Sequence, residues 1–420
     1  DNGGNSIECS FEVTVLDNES PTFVVDCETI GNQVVNTDLD EPTYTHTNDS
    51  WDVVATDNDG ISSLAYTLSG STEGVGTTTL EGVSFNIGET IVTWVVTDNS
   101  GNTAECSFTV TVVDNEAPTF LLDCEAIGDQ TVNTDLGEST YTHLGDNWTV
   151  VATDNDGIAS YVYTLTGATE GTGTSLNGVV FNIGETTVTW VVTDNSGNTA
   201  ECSFTVTVVN EENPIFVVGC SEIGNQVVST DQGEAVYTHN GTAWDVEVES
   251  NVGVQSLVFE LTGATTGEGT NSLEGTVFNL GVTTVTWTVT DISGNTASCS
   301  YLVTVEDNEA PVLVVDCNSI GNQVVETLDG KNYYINEGTD WDVVAEDNVG
   351  IVSITWKLNG ATIGEGANTL NNALFNVGET LVTWVVVDGN GNEVSCSFTV
   401  TVVDNEAPVL VVDCDAIGDQ

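Results

Sequence analysis

A chain that repeats itself about every 97 residues can only fold as one small domain several times over. Trp94, Trp190, Trp287 and Trp384 stand in near-identical surroundings, at intervals of 96, 97 and 97 residues. The stretch WVVTDNSGNTAECSFTVTVV occupies 94–113 and recurs unchanged at 190–209. A fixed period of this kind is the mark of a repeat architecture. Four full units follow: 17–113, 114–209, 210–306 and 307–403. Residues 1–16 read as the last strand of a preceding unit, and 404–420 as the first strand of a following one. The 420-residue chain is therefore read as a section of a longer secreted array.

Within a unit the pattern is all-β. Apolar and polar residues alternate through the stretch ending at Val96 and through Ser107–Val113, with β-branched residues dominating. Turn signals recur at Asp57–Gly60, Ser69-Gly70, Glu81-Gly82, Asn86–Gly88 and Asn99–Asn102. No segment holds a 3.6-residue period. About seven strands in this length is the size of an immunoglobulin-like β-sandwich. The expected fold is thus a set of tandem sandwich repeats in an extended array. For the first unit the expected strands are A from Pro21 to Cys27, B ending near Thr56 and C starting at Ile61. A D/E region at about 77–88 comes next, then F from Thr90 to Asp98 and G from Thr103 to Val113, with A and G as parallel neighbours. Each unit has two tryptophans expected in the core, such as Trp51 and Trp94.

Charge excludes whole classes of partner. The chain carries 65 acidic residues against two lysines, Lys331 and Lys357, for a net charge of −63. Binding nucleic acid or an anionic membrane needs clustered Lys and Arg, which are missing. No apolar run is long enough for a transmembrane helix.

The cysteines fall at two places per unit. One pairing joins Cys27 to Cys106, Cys124 to Cys202, Cys220 to Cys299 and Cys317 to Cys396, partners 78 or 79 residues apart. The other joins cysteines 18 apart across a boundary, such as Cys106 and Cys124. Strand heights favour the first, because the rest of G, a linker and A separate Cys106 from Cys124 by far more than a disulfide can span. Regular bridging implies an oxidising, extracellular or cell-surface location. A zinc site is disfavoured, since there is no CxxC and no Cys/His cluster.

His46, His143 and His239 occupy one repeat position, five residues before a Trp, where the fourth unit has Asn336. They read as a repeated surface or core residue. No catalytic motif is present, and near-identical units offer no single distinct cleft, so an enzyme is not expected.

Three acidic segments recur. The linkers supply Asp17 and Glu19, Asp114 and Glu116, and Asp307 and Glu309. The B–C loops supply Asp57 and Asp59, Asp154 and Asp156, and Asp347. The F–G loops supply Asp98 and Asn102, Asp194 and Asn198, and Asp388. Strand direction brings the linker, the B–C loop and the F–G loop to one pole of each domain. Converging carboxylate and amide oxygens are the ligands Ca²⁺ takes, six to eight of them, so calcium is the expected cofactor. The competing reading is that these are solvated turns rich in Asn, Asp and Gly. The third unit departs, with Ser250 and Val252 in place of the two B–C aspartates. Its junction is expected to bind less well.

The string Asp-Asn-Glu-Ala-Pro, a cysteine after the first strand, PheAsnIleGlyGluThr, and then the G-strand motif ThrAspAsnSerGlyAsnThrAlaGluCysSerPheThrValThrVal together resemble the hyalin repeat (HYR). The resemblance covers all four units and both ends. It implies a β-sandwich linked to cell adhesion. Long acidic arrays with almost no Lys or Arg also resemble giant bacterial surface adhesins, including the gliding-motility adhesins exported by the type IX secretion system. What this implies is a stalk section of an extracellular adhesive filament. Its partners would be neighbouring repeats and a surface or glycan ligand. The alternative is a glycan- or ligand-binding accessory array attached to a secreted enzyme.

Overall fold

The computed structural model describes residues 1–409. Two compact units divide at Asn210/Glu211, each holding two repeats. Every repeat has the same elements. In the first they are β1 (Thr22–Val25), α1 (Cys27–Ile30), β2 (Gln33–Asn36), β3 (Thr43–Thr45), β4 (Val54–Thr56), β5 (Ile61–Gly70), β6 (Gly74–Thr77), β7 (Ser84–Asn86), β8 (Gly88–Asp98) and β9 (Thr103–Val113). One layer is a five-stranded sheet in the order β2-β9-β8-β5-β6, and the pairs β1-β4 and β3-β7 complete the repeat. The fold is an all-β tandem array of sandwich-like repeats, as the alternation indicates.

The two long strands carry the core. On β8 the buried positions are Thr90, Val92, Trp94, Val96 and Asp98, every second residue. On β9 they are Phe108, Val110 and Val112, and the same face continues to the buried Asp114 just past the strand. Side chains alternate across a strand, so one face goes inward as a set. Trp94 lies opposite Tyr66 on β5 and Cys106 on β9, with no exposed surface. Leu80, Phe85 and Trp51 pack with it. Gly70 closes the β5 end, and a Cβ there would clash with the Glu89 carbonyl oxygen. Only glycine fits that approach.

Strand A is where the structure departs most from expectation. It is two short strands, not one. β1 pairs antiparallel with β4, and β2 pairs parallel with β9. The helical turn α1 carries the chain from one layer to the other. Asp26 caps its start, the carboxylate accepting from the Thr29 backbone N–H at 2.8 Å, and Gly31 ends it at φ 69°. Capping carboxylates and left-handed glycines are the ordinary start and stop signals of a helix. The strand beside β9 is therefore β2, not the segment 21–27. A further strand, β3, pairs with β7 and was not anticipated.

The expected disulfides are all present: Cys27–Cys106, Cys124–Cys202, Cys220–Cys299 and Cys317–Cys396. Each ties the helical turn to the last strand. Residues 1–16, expected to be the last strand of a preceding unit, form no strand. Of the segment 404–420, residues 404–409 form no strand and the rest lie outside the described residues.

Candidate metal centre

Two core-facing rows run out into carboxylates. Asp98 is the last inward position of β8, and Asp114 follows the last inward position of β9. Their burial is thus set by strand alternation: Asp98 is 1% exposed and Asp114 5%. The same registers bury Asp194, Asp307 and Asp388. The loop between β4 and β5 brings the third carboxylate. The resulting groups are Asp17, Asp57 and Asp98; Asp114, Asp154 and Asp194; and Asp307, Asp347 and Asp388. In each group one oxygen per residue lies within 4.8 Å of the others. The three expected segments, linker, B–C loop and F–G loop, are thus brought together in repeats 1, 2 and 4. Repeat 3 has Asn210, Ser250 and Asp291 at these positions, one carboxylate where the others have three.

The chain has no arginine and two lysines, Lys331 and Lys357, both in repeat 4, so repeats 1 and 2 have no basic side chain of their own to offset these charges. Burial pushes the Asp154 carboxyl above the usual carboxylate range, and the neighbouring Asp114, Asp194 and Asp156 push it the same way. Asp98 and Asp388 are held low. Burial works against them, but hydrogen bonds from Asn102 and Asn392 and the adjacent turn backbone outweigh it. The Oδ2 oxygen of Asp17 is buried with no hydrogen-bond donor. An anionic oxygen withdrawn from water without a donor is costly unless a cation faces it.

The remaining expected residues take other places. The Asn102 amide donates to the Asp17 carbonyl at 3.2 Å and to Asp98 Oδ2 at 2.7 Å. Asn198 likewise donates to Asp114 and Asp194. These asparagines join the carboxylates as donors, the polarity opposite to that of a metal ligand. Asp59 and Asp156 accept from Ser100 and Ser196 across the turn, each at 2.8 Å. Glu116 turns to the preceding repeat, accepting from the Asp40 backbone N–H, and Glu309 does the same with Gly233. The Glu19 backbone N–H donates to Asp17 Oδ1 at 3.1 Å.

Asn155 and Asn348 were missed by the sequence reading. The Asn155 amide donates to the Glu41 carbonyl at 3.0 Å, to Thr37 Oγ1 at 3.4 Å and to Asp114 Oδ1 at 3.2 Å. Asn348 makes the equivalent contacts to Glu234, Thr230 and Asp307. One side chain thus ties the cluster of one repeat to the body of the repeat before it. The signal was in the sequence: Asn58, Asn155, Asn251 and Asn348 hold this loop position in every repeat while the flanking aspartates vary.

Comparison with known proteins matches the HYR domain over residues 21–112, 113–208, 247–305 and 315–402. Hyalin of Lytechinus variegatus is 30% identical across 99% of this chain, which spans 69% of that protein. Hyalin of Strongylocentrotus purpuratus is also 30% identical, and the chain spans 30% of its length. A serine-rich adhesin for platelets of Staphylococcus aureus is 31% identical over 40% of this chain and 13% of its own. Among solved structures, a protocadherin gammaB4 extracellular domain is similar over 93% of this chain and 68% of its own, at 14% identity and a TM-score of 0.34.

Proposed function

The chain belongs to the HYR domain family, and from that premise we propose that it is an extracellular array of structural, adhesive repeats whose junctions are held by Ca²⁺. Its likeness to hyalin and to a staphylococcal adhesin supports an adhesion-type role. The disulfide in every repeat fits an oxidising compartment. No helix among the described residues is long and apolar enough to cross a membrane. The all-β repeat array fits a non-enzymatic, structural protein. In its finer form the proposal is a stalk of a cell-surface filament used for attachment or gliding. That finer form rests on the bacterial resemblance in the sequence.

The observation that carries the metal reading is the trio of carboxylates converging within 4.8 Å in a chain without arginine. Ca²⁺ holds oxygens at about 2.3–2.6 Å, so two of its ligands stand at most about 5 Å apart. The clusters fit inside that limit. An ion there would join the linker, the β4–β5 loop and the β8–β9 turn into one rigid pole.

Titration calorimetry of the 420-residue chain with Ca²⁺, alongside thermal unfolding in Ca²⁺, Mg²⁺ and EDTA, tests this. The expected result is three strong sites, with a melting temperature raised by Ca²⁺ more than by Mg²⁺. Identical melting in all three buffers, with no binding heat, would leave the clusters as solvated turns.

A further inference from the structure

Repeats 1–3 each hide an imidazole. His46, His143 and His239 are 1%, 1% and 3% exposed. Each lies flat on the tryptophan five residues later, with ring centroids 3.8, 3.7 and 3.9 Å apart from Trp51, Trp148 and Trp244. The ring planes are within 7–11° of parallel. The backbone of the histidine is anchored: His46 donates its N–H to the Val83 carbonyl at 2.9 Å and accepts from the Gly82 N–H at 2.7 Å. The ring is not. Neither nitrogen of any of the three imidazoles makes a hydrogen bond of proper geometry; the backbone of Asn48, Gly145 and Gly241 approaches the rings and favours their charged form only weakly against burial. A neutral imidazole always carries one N–H and one lone pair. Each of these three repeats therefore buries an imidazole whose polar atoms lack well-formed hydrogen bonds, which opposes burial of the ring.

Repeat 4 shows the satisfied alternative. Asn336, 4% exposed, occupies the same position, and its amide donates to the Leu370 carbonyl at 3.2 Å. Its backbone bonds, to Ala373 and from Asn372, are those of the histidine repeats.

We propose that repeats 1–3 contain an acid-release device: protonation of the buried, tryptophan-stacked His46, His143 or His239 drives the ring off its tryptophan and opens the corner formed by β3, the loop to Trp51 and β7, while repeat 4, with Asn336, stays closed. A protonated ring needs water or a paired anion. The groups facing His46 are Asp49 and Asp52 from its own loop, Glu81 from the β6–β7 loop, and the Tyr44 ring at 6.4 Å. His239 faces Asp245, Glu274 and Tyr237. His143 faces Asp146 and Tyr141, because Thr149 and Asn177 stand where the other two repeats have carboxylates. Burial pushes all three imidazoles below their ordinary value, outweighing those carboxylates.

The direction of the effect follows. The folded ring takes a proton less readily than the released ring, so the open form binds more protons. Stability is complete above the ordinary histidine value of about 6.5 and is lost as pH falls below it. For every unit by which the buried value lies below 6.5, the closed-to-open ratio falls up to tenfold. Repeat 2, with the fewest facing carboxylates, should respond most.

The test is hydrogen exchange by mass spectrometry on the 420-residue chain, between pH 7.5 and 5.0, comparing repeats within each sample. It is run in Ca²⁺ and again in EDTA. The expected result is loss of protection at the β3 and β7 positions of repeats 1–3 relative to repeat 4, greatest in repeat 2, in both buffers. Acid release of bound metal cannot mimic this, since repeat 4 carries its own cluster and would lose protection too. The triple variant His46→Asn, His143→Asn, His239→Asn, copied from repeat 4, should abolish the difference. A separate reading needs no variant: imidazole NMR signals of the native chain should titrate below 6.5, His143 lowest. Equal protection in all four repeats, or imidazoles titrating at or above 6.5, overturns the proposal.

Discussion

Removing one charge from a junction cluster should have opposite effects with and without metal. Asp154→Asn is the cleanest choice. The side chain keeps the oxygen that accepts the Asp156 N–H at 2.9 Å, so the turn survives. What changes is the repulsion from Asp114 and Asp194. At the 4.8 Å that bounds the cluster, two unit charges in an effective dielectric of about 20 repel by about 3 kcal/mol. Two such repulsions vanish. Asp154 is partly exposed, so solvent screening reduces the gain, and about 1–2 kcal/mol is the expected remainder. In EDTA at low salt this should raise the transition of repeat 2 by roughly 5–10 °C. On the proposed calcium reading the order reverses in Ca²⁺, because the variant would lose a ligand and with it part of the stabilisation that binding confers. Differential scanning calorimetry in the two buffers reads both effects. A control in 1 M salt, where the Debye length is about 3 Å, should shrink the metal-free gain. A variant that melts lower than the parent in EDTA at low salt would refute the electrostatic argument, and an equal gain at both salt concentrations would do the same. Asp154 also has a pH signature of its own. Its folded value lies above the ordinary 3.8, so its contribution to metal-free stability is full below that value and fades as pH rises through the folded one.

Three other outcomes follow from the packing. Cys106→Ser paired with Cys27→Ser opens a loop of 79 residues and should cost repeat 1 about 4.5 kcal/mol in the chain-entropy estimate, visible as an early transition in calorimetry. Trp190→Ala removes a side chain with no exposed surface and its 3.1 Å bond to the Trp148 carbonyl, and should destabilise repeat 2 by about 3–5 kcal/mol in urea unfolding. Asn155→Ala deletes the side chain joining Thr37, Glu41 and Asp114, and should loosen the junction of repeats 1 and 2 while leaving each core intact. Limited proteolysis at the linker should quicken, with the melting of repeat 2 changed by less than its cleavage rate.

What the sequence could show depended on the range of the interaction. The alternation in β8 and β9 is local and unbroken, so it exposed the core; that the same rows run on to bury Asp98 and Asp114 was not read from it. Cysteine spacing combined with strand direction was enough for the bridges. The split of strand A went unread because an apolar run of Thr22–Val25 looks the same whichever strand it pairs with. The capping Asp26 and Gly31 were the only hints that the chain changes layers there. Asn155 was overlooked because two of its three partners, Thr37 and Glu41, lie 118 and 114 residues back. The histidines could be placed at one repeat position but not inside. An imidazole that stacks on a tryptophan with no polar partner has no sequence signature beyond the fixed spacing of five.

The position of the disulfide also decides what happens under tension. Cys27 and Cys106 lie near the two ends of their repeat and bracket nearly all of its strands. If a pulling force unravels the domain, the 78 residues between them stay out of the load path. Only residues 17–27 and 106–113 can pay out, about 65 Å of contour at roughly 3.5 Å per residue, against about 340 Å for the unbridged repeat. Each repeat is therefore a short-stroke spring with a covalent stop. A tether built this way yields a little and then holds, and a reducing agent would convert it into one that runs out fivefold further before it bears load.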